Sequence, residues 1–295
     1  MSNHPRAFVF LTLLTLAGCN TPTPLLEDHP HLNPQVHMTD ITLHSTLLNR
    51  DIPIRIVEPT YIRPGLHTPI VYLLHGAGES YRNWTNESNI ADLASNGILL
   101  VMPDGGNTYY INDAANNRYE DFFFTELIPE VHRLYPNAAT DRAHTAIAGI
   151  SRGGYAATLY ALKHPTQFSY VAALSSAFDL AERPFRWRSP RQSFEYRSVF
   201  GAPNSPTRTA NDPYLFASAI DPHQAPTFRL FCGDKDILLP SNQRFADVLQ
   251  QRHIAHTFEI VHGDHNWGVW SKLIPAIETD LLARFNLQTQ ASPKP

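Results

Sequence analysis

The chain has 295 residues, 43% of them hydrophobic and 17% charged, with 14 Gly, 24 Pro, two Cys and a formal net charge of −4. It is too apolar for a disordered chain and too poor in Gly for a collagen-like one, and its slight negative charge gives no reason to expect nucleic acid as a partner. Two cysteines allow at most one bridge, so the fold must stand on its core.

Met1 to Asn20 opens with a short polar stretch carrying Arg6, continues through an apolar run from Ala7 to Leu16 and ends in small residues. About ten apolar residues are too few to cross a bilayer, and residues 1–18 read as a secretory signal. Leu16-Ala17-Gly18-Cys19 resembles the lipobox of bacterial lipoproteins. That resemblance implies cleavage before Cys19, lipidation of its thiol and a protein held by lipid on a membrane of the bacterial cell envelope, with Asn20 favouring the outer membrane. An ordinary cleaved signal is the alternative. Residues 19–40 are rich in Pro and polar side chains, show no sustained period and read as a tether, in which His29, His31 and His37 are linker residues.

Beyond residue 40 short β-type runs alternate with helical patterns. Residues 41–48 and 52–58 read as paired strands joined around Asn49-Arg50-Asp51. Residues 69–74 and 98–102 are continuous apolar runs, the pattern of strands buried on both faces. Between them 87–95 reads as a helix ended by Asn96-Gly97. Residues 119–135 place Phe122, Phe123, Leu127, Val131 and Leu134 near helical spacing. A strand at 144–149, a helix at 153–163 and a strand at 170–174 follow. Strands at 227–232 and 257–261 and an amphipathic helix at 271–285 complete the series. Buried strands alternating with helices predict one doubly wound, mostly parallel α/β domain over residues 41–288, with a short tail at 289–295. The interval 178–226 breaks the rhythm and carries Arg183, Arg186, Arg188, Arg191, Arg197 and Arg208. It reads equally as a lid over a site or as a solvated excursion.

Gly149-Ile150-Ser151-Arg152-Gly153 fits Gly-x-Ser-x-Gly, between an apolar strand and a helix of small residues. That context makes it a nucleophile elbow, in which a sharp turn exposes the serine at the end of a strand. A serine needs a base, and the base an orienting acid. The run 228–232 ends at Gly233-Asp234-Lys235-Asp236, and a later loop carries His262, Asp264 and His265, which offers both partners at one edge of the sheet. Cys232 reads as a small buried residue and not as a reactive thiol.

The motifs taken together resemble the esterase group of the α/β-hydrolases, which takes in esterase D or S-formylglutathione hydrolase, tributyrin, feruloyl and acetyl xylan esterases and mycolyltransferases. The matching pieces are Leu74-His75-Gly76-Ala77-Gly78 with Trp84, Pro103-Asp104-Gly105, Tyr119-Glu120-Asp121-Phe122 with Glu126-Leu127-Ile128-Pro129, the Ser151 elbow with Gly154, Phe200-Gly201, Cys232-Gly233-Asp234-Lys235-Asp236, and Gly263-Asp264-His265-Asn266-Trp267 with Trp270. The resemblance implies an α/β-hydrolase fold and a serine carboxylesterase acting on small-molecule or carbohydrate esters with no cofactor and no metal. It makes Ser151 the nucleophile, His265 the base with His262 as rival, and Asp236 the orienting acid with Asp234 as rival. The oxyanion hole would be formed by the backbone N–H groups of Arg152 and Ala77, with Gly76 as the alternative to Ala77, and Trp267 is expected on the substrate side. Position 152 is often Met in this group; the Arg here is expected to meet an anionic substrate or to pair with an acid such as Asp104. Rival readings are an acyltransferase with an alcohol acceptor, a non-catalytic envelope- or carbohydrate-binding module, and a metal site of His262, Asp264 and His265.

Overall fold

The computed structural model describes residues 27–62, 65, 67–184 and 189–287. The signal, the lipidation of Cys19, Arg186, Arg188 and the tail lie outside the described residues.

Eight strands form one sheet: β1 (Val36–Ser45), β2 (Arg50–Pro59), β3 (Ile70–Leu74), β4 (Leu99–Pro103), β5 (Thr145–Ile150), β6 (Tyr170–Leu174), β7 (Thr227–Gly233) and β8 (His256–Val261). Their order is β1-β2-β4-β3-β5-β6-β7-β8. The six strands from β4 to β8 run parallel, while β2 is antiparallel to both β4 and β1. The continuous apolar runs of β3 and β4 are strands buried on both faces, as expected, because successive side chains enter opposite cores. Ile70, Tyr72 and Leu74 join one cluster, whereas Val71 and Leu73 join the other. The first cluster is covered by α3 (Tyr119–Phe122), α4 (Ile128–Leu134), α5 (Arg152–Lys163), α8 (Pro213–Ala219) and α9 (Leu239–Gln251). The second is covered by α1 (Asn83–Glu87), α2 (Asp92–Ser95), α10 (Trp267–Trp270) and α11 (Ile274–Arg284).

The chain leaves β3 outward to β4 and returns to β5 on the other side of β3, so the winding reverses between β3 and β5. A crevice at the carboxyl ends of the strands opens at such a reversal, and the loops after β3 and β5 meet there.

Several boundaries differ from the sequence expectation for identifiable reasons. Residues 87–95 do not form one helix. The Ser88 hydroxyl donates to the Trp84 carbonyl at 2.6 Å and accepts from the Ile90 amide at 3.3 Å, so it competes with the backbone ladder and separates α1 from α2. Between α3 and α4 the chain forms a π-turn at Phe123–Leu127, and this wider turn buries the adjacent Phe122 and Phe123 together. Leu134, expected in the core, ends α4 with 38% of its surface exposed. The 178–226 interval contains α6 (Pro190–Phe200), α7 (Pro206–Thr209) and α8. It is no purely solvated excursion, because Phe178, Tyr196, Phe200, Tyr214 and Ala217 belong to the core.

The first strand starts at Val36, five residues earlier than expected, and the segment before it lies against the domain. The cause is Arg55, whose side chain is fully buried on β2. It donates to Asp40 at 2.7 and 2.8 Å, to Asp28 at 3.0 and 2.6 Å and to the Thr85 hydroxyl at 2.8 Å. A buried guanidinium demands such partners, and Asp28 reaches it only when residues 28–35 fold back along α1 and α2. The His31 amide donates to the Thr85 carbonyl, and Asn33 to Asp92, along that path. Arg55→Met is expected to lower the unfolding free energy by about 3 kcal/mol, since two carboxylates lose a shared cation. Asp28→Asn, at a partly exposed carboxylate, should cost about 1 kcal/mol. Urea denaturation followed by tryptophan fluorescence measures both, and an Arg55→Met protein as stable as the parent would refute the account.

Candidate active site

β5 is buried along its whole length and turns sharply into α5 at Ser151. Ser151 has φ +54° and ψ −113°, a conformation that an L-residue holds only under constraint. Its amide donates to the Leu174 carbonyl at 2.8 Å, and its carbonyl accepts from Tyr155 and Ala177. Two glycines make the turn sterically feasible. A Cβ at Gly153 would lie 2.3 Å from the Leu74 carbonyl oxygen, and one at Gly149 would lie 2.2 Å from the Gly153 backbone. The helix start therefore packs directly on the end of β3.

The loop after β7 places Asp236 beneath the loop after β8. The carboxylate of Asp236 accepts from His265 Nδ1 at 2.8 Å, and His265 Nε2 lies 3.0 Å from Ser151 Oγ. A carboxylate only accepts, so Nδ1 carries the proton and Nε2 is left to accept from the serine hydroxyl. Trp270 stands edge-on to the His265 ring, with centroids 4.9 Å apart, and its indole donates to Ser175 Oγ at 3.0 Å. The Asp236 side chain is wholly buried. Burial pushes its carboxyl up, but hydrogen bonds from His265, from the Leu238 amide and from Ser175 outweigh it and hold the group below the usual carboxylate range.

The rivals pair with each other. Asp234 accepts from His262 Nδ1 at 2.9 Å and from the Gly263 amide at 2.9 Å. With side-chain exposures of 77% for His262 and 43% for Asp234, this pair braces two surface loops without reaching Ser151. His262 and His265 thus face different carboxylates, and among the described residues no three His, Cys, Asp or Glu side chains are grouped to hold a metal. Cys232 is buried and free, and burial together with the nearby Asp236 pushes its thiol up to about 12.

The loop after β3 distinguishes Gly76 from Ala77. His75 Nε2 accepts from the Gly105 amide at 2.8 Å, which leaves Nδ1 protonated to donate to the Gly76 carbonyl at 2.9 Å. The Gly76 amide is itself engaged, donating to Glu79 Oε2 at 2.7 Å. Both backbone polar groups of Gly76 are thus held, and the next residue, Ala77, is exposed. The Arg152 amide is the first of α5 and has no acceptor within the helix.

Arg152 meets an acid, as one of its two readings had it, but the acid is Glu195. Arg152 does not pair with Asp104. Its guanidinium donates to the carbonyls of Asn107 and Thr108, lies 3.9 Å over the Tyr109 ring and sits 3.9 Å from Glu195 of α6. Asp104 instead accepts from the Gly106 amide. Trp267 directs its indole N–H to Glu79 Oε1 at 2.6 Å, and its ring meets Trp84 and Trp270 edge-on. Sequence reasoning missed Glu79 and Ser175. Ser175 carries a faint signal, a polar residue at the carboxyl end of a buried strand; Glu79 carries none beyond lying three residues after Gly76.

The family model described as "Putative esterase" matches residues 45–281. The chain belongs to this esterase family. An acetyl esterase of Caldicellulosiruptor saccharolyticus is 30% identical over 212 residues, 69% of this chain and 79% of the relative. A diacylglycerol acyltransferase/mycolyltransferase Ag85B of Mycobacterium leprae is 26% identical over 263 residues, 77% of this chain and 79% of the relative. Among solved structures, a ferulic acid esterase superposes with a TM-score of 0.73 at 25% identity, covering 86% of this chain and all of that one. The esterase family and its neighbours have the α/β-hydrolase architecture, and this member is a carboxylic ester hydrolase.

Asp236 makes the site sensitive to acid. A carboxyl lowered in the folded protein adds stability that is complete above its unfolded value of about 3.9 and is lost as pH falls through the folded value. The stability gap between the parent and Asp236→Asn is therefore expected to be constant down to about pH 4 and to shrink below it. Denaturant titrations at a series of pH values measure the gap, and a gap that stays constant in acid would contradict the assignment.

Proposed function

We propose that the protein is a serine carboxylesterase that hydrolyses small or sugar-linked esters through an acyl-enzyme. The observation that carries this reading is the unbroken hydrogen-bonded run from Ser151 Oγ through His265 to the buried Asp236, at a strained elbow. His265 Nε2 takes the hydroxyl proton as Ser151 Oγ bonds to the ester carbonyl carbon. The tetrahedral oxyanion accepts from the N–H groups of Ala77 and Arg152, each worth about 3–4 kcal/mol to the transition state. His265 returns the proton to the leaving alkoxide, the C–O bond breaks, and the acyl group remains on Ser151. Water repeats the sequence, giving its proton to His265 and releasing the carboxylic acid. Asp236 keeps the imidazole in the right tautomer and stabilises the imidazolium that forms.

In this reading the side chain of Arg152 is a wall residue. Its charge is held by the Asn107–Tyr109 turn and Glu195 of α6, so it is not offered to an anionic substrate. Ser151→Ala is expected to lower the hydrolysis rate of p-nitrophenyl acetate by about 10⁶-fold, and Asp236→Asn by about 10⁴-fold. Asp234→Asn should stay within a few-fold of the parent. Near-parental turnover by Ser151→Ala would end the reading, and a larger loss from Asp234→Asn than from Asp236→Asn would reverse the choice of acid.

Acyl transfer is the second reading, favoured by relatives named as acyltransferases. It differs only in the acceptor that attacks the acyl-enzyme. Hydrolysis as the main reaction predicts that a sugar or glycerol acceptor, added at concentrations well below that of water, leaves the carboxylic acid as the dominant product by chromatography. Quantitative diversion into a new ester would establish the transferase instead. A panel of acetyl, butyryl, feruloyl and long-chain esters on aryl and sugar leaving groups is expected to favour the short acyl groups.

A further inference from the structure

Glu79 is a half-buried carboxylate beside the triad to which the mechanism above gives no task. Its two oxygens are engaged by different parts of the chain. Oε2 accepts from the Gly76 amide at 2.7 Å, and Oε1 accepts from the Trp267 indole at 2.6 Å. Gly76 immediately precedes Ala77, whereas Trp267 follows His265 by two residues and begins α10. Gly76 itself lies close to both the carboxylate and the serine. A Cβ at Gly76 would be 3.1 Å from Glu79 Oε2 and 3.6 Å from Ser151 Cβ.

Burial raises the Glu79 carboxyl, against the hydrogen bonds from Gly76 and Trp267 and the nearby His75 and His265, and the balance stays above the usual value. Keeping an acidic side chain there carries a desolvation cost, which a purely space-filling residue would not incur. The return is geometric, because one rigid group joins the loop that bears a donor to the loop that bears the base.

We propose that Glu79 is a positioning residue for ester hydrolysis: its carboxylate fastens the Gly76-Ala77 turn to the loop carrying His265, fixing the Ala77 N–H and the imidazole relative to each other. This rests on the reading of Ser151, His265 and Ala77 given above. The N–H must meet the oxyanion while the imidazole receives the proton, so a shift between the two weakens the transition state more than substrate binding.

Steady-state kinetics on p-nitrophenyl acetate tests the proposal. Glu79→Ala is expected to lower kcat by about 10²-fold with KM changed by less than about twofold, the pattern of an interaction that matters in the transition state. Glu79→Gln keeps an acceptor for only one of the two donors and should lose about tenfold in kcat. In a Trp267→Phe background, which has already broken the link, Glu79→Ala should cost clearly less than it does in the parent. Parental kcat in both Glu79 variants, a loss confined to KM, or full additivity with Trp267→Phe would each overturn the proposal. If Glu79→Ala does not fold, Glu79→Gln decides alone, with unchanged kcat as the overturning result. Ser151→Ala run alongside separates the two levels: activity surviving in it removes the underlying reading, whereas its loss beside a fully active Glu79→Gln removes only the role of Glu79.

Discussion

The contact on which the site depends is the approach of Gly153 to the carbonyl of Leu74. Room for a methyl group is missing there by more than an ångström, so the first turn of α5 sits on the end of β3 as closely as backbone allows. Ser151 is thereby held at φ +54° and stands at the crevice where the winding of the sheet reverses. The same closeness brings the turn after β3, with Ala77, beside the start of α5, with the Arg152 amide. One steric constraint therefore both strains the serine and brings the turn after β3 against the start of α5. The strain is borne by the sheet, whose central strands are buried on both faces and leave the elbow little freedom to relax.

Three carboxylates stand on the loops at this end of the sheet, and their environments differ. Asp236 is wholly buried, accepts from His265 and is kept ionised by several donors. Asp234, two residues earlier, is exposed and bound to an exposed histidine, so solvent screens whatever it contributes. Glu79 accepts from the Gly76 amide and the Trp267 indole and so ties the loop after β3 to the loop after β8. Away from the chemistry, Arg55 plays a comparable part for the N-terminal segment. A buried cation recruits carboxylates wherever the chain can supply them, and here one comes from Asp28, ahead of the first strand.

Much of the architecture was legible because it is written at short range. Strands such as 70–74 and 99–103 announce themselves as unbroken apolar runs, and the turn at Asn96-Gly97 ends α2 as expected. Where the reading failed, side chains had competed with the backbone or distant partners had intervened. Ser88 divides a helix by its own hydroxyl bonds, a π-turn buries two consecutive phenylalanines, and Arg55 draws residues 28–35 out of a presumed tether.

By itself the sequence determined the alternating α/β plan, the elbow at Ser151 and the edge of the sheet at which an acid and a histidine had to appear, since each follows from local pattern and strand polarity. Only the tertiary structure separated Asp236, joined to His265, from Asp234, joined to His262, and engaged the Gly76 amide with Glu79. It also turned Arg152 toward Tyr109 and Glu195 instead of Asp104, and brought Glu79 to Trp267 across 188 positions of the chain. The physical reason is common to all of these. Candidates a few residues apart are equivalent in pattern, and they become different only through burial and through the hydrogen-bond partners that a folded chain supplies from far away.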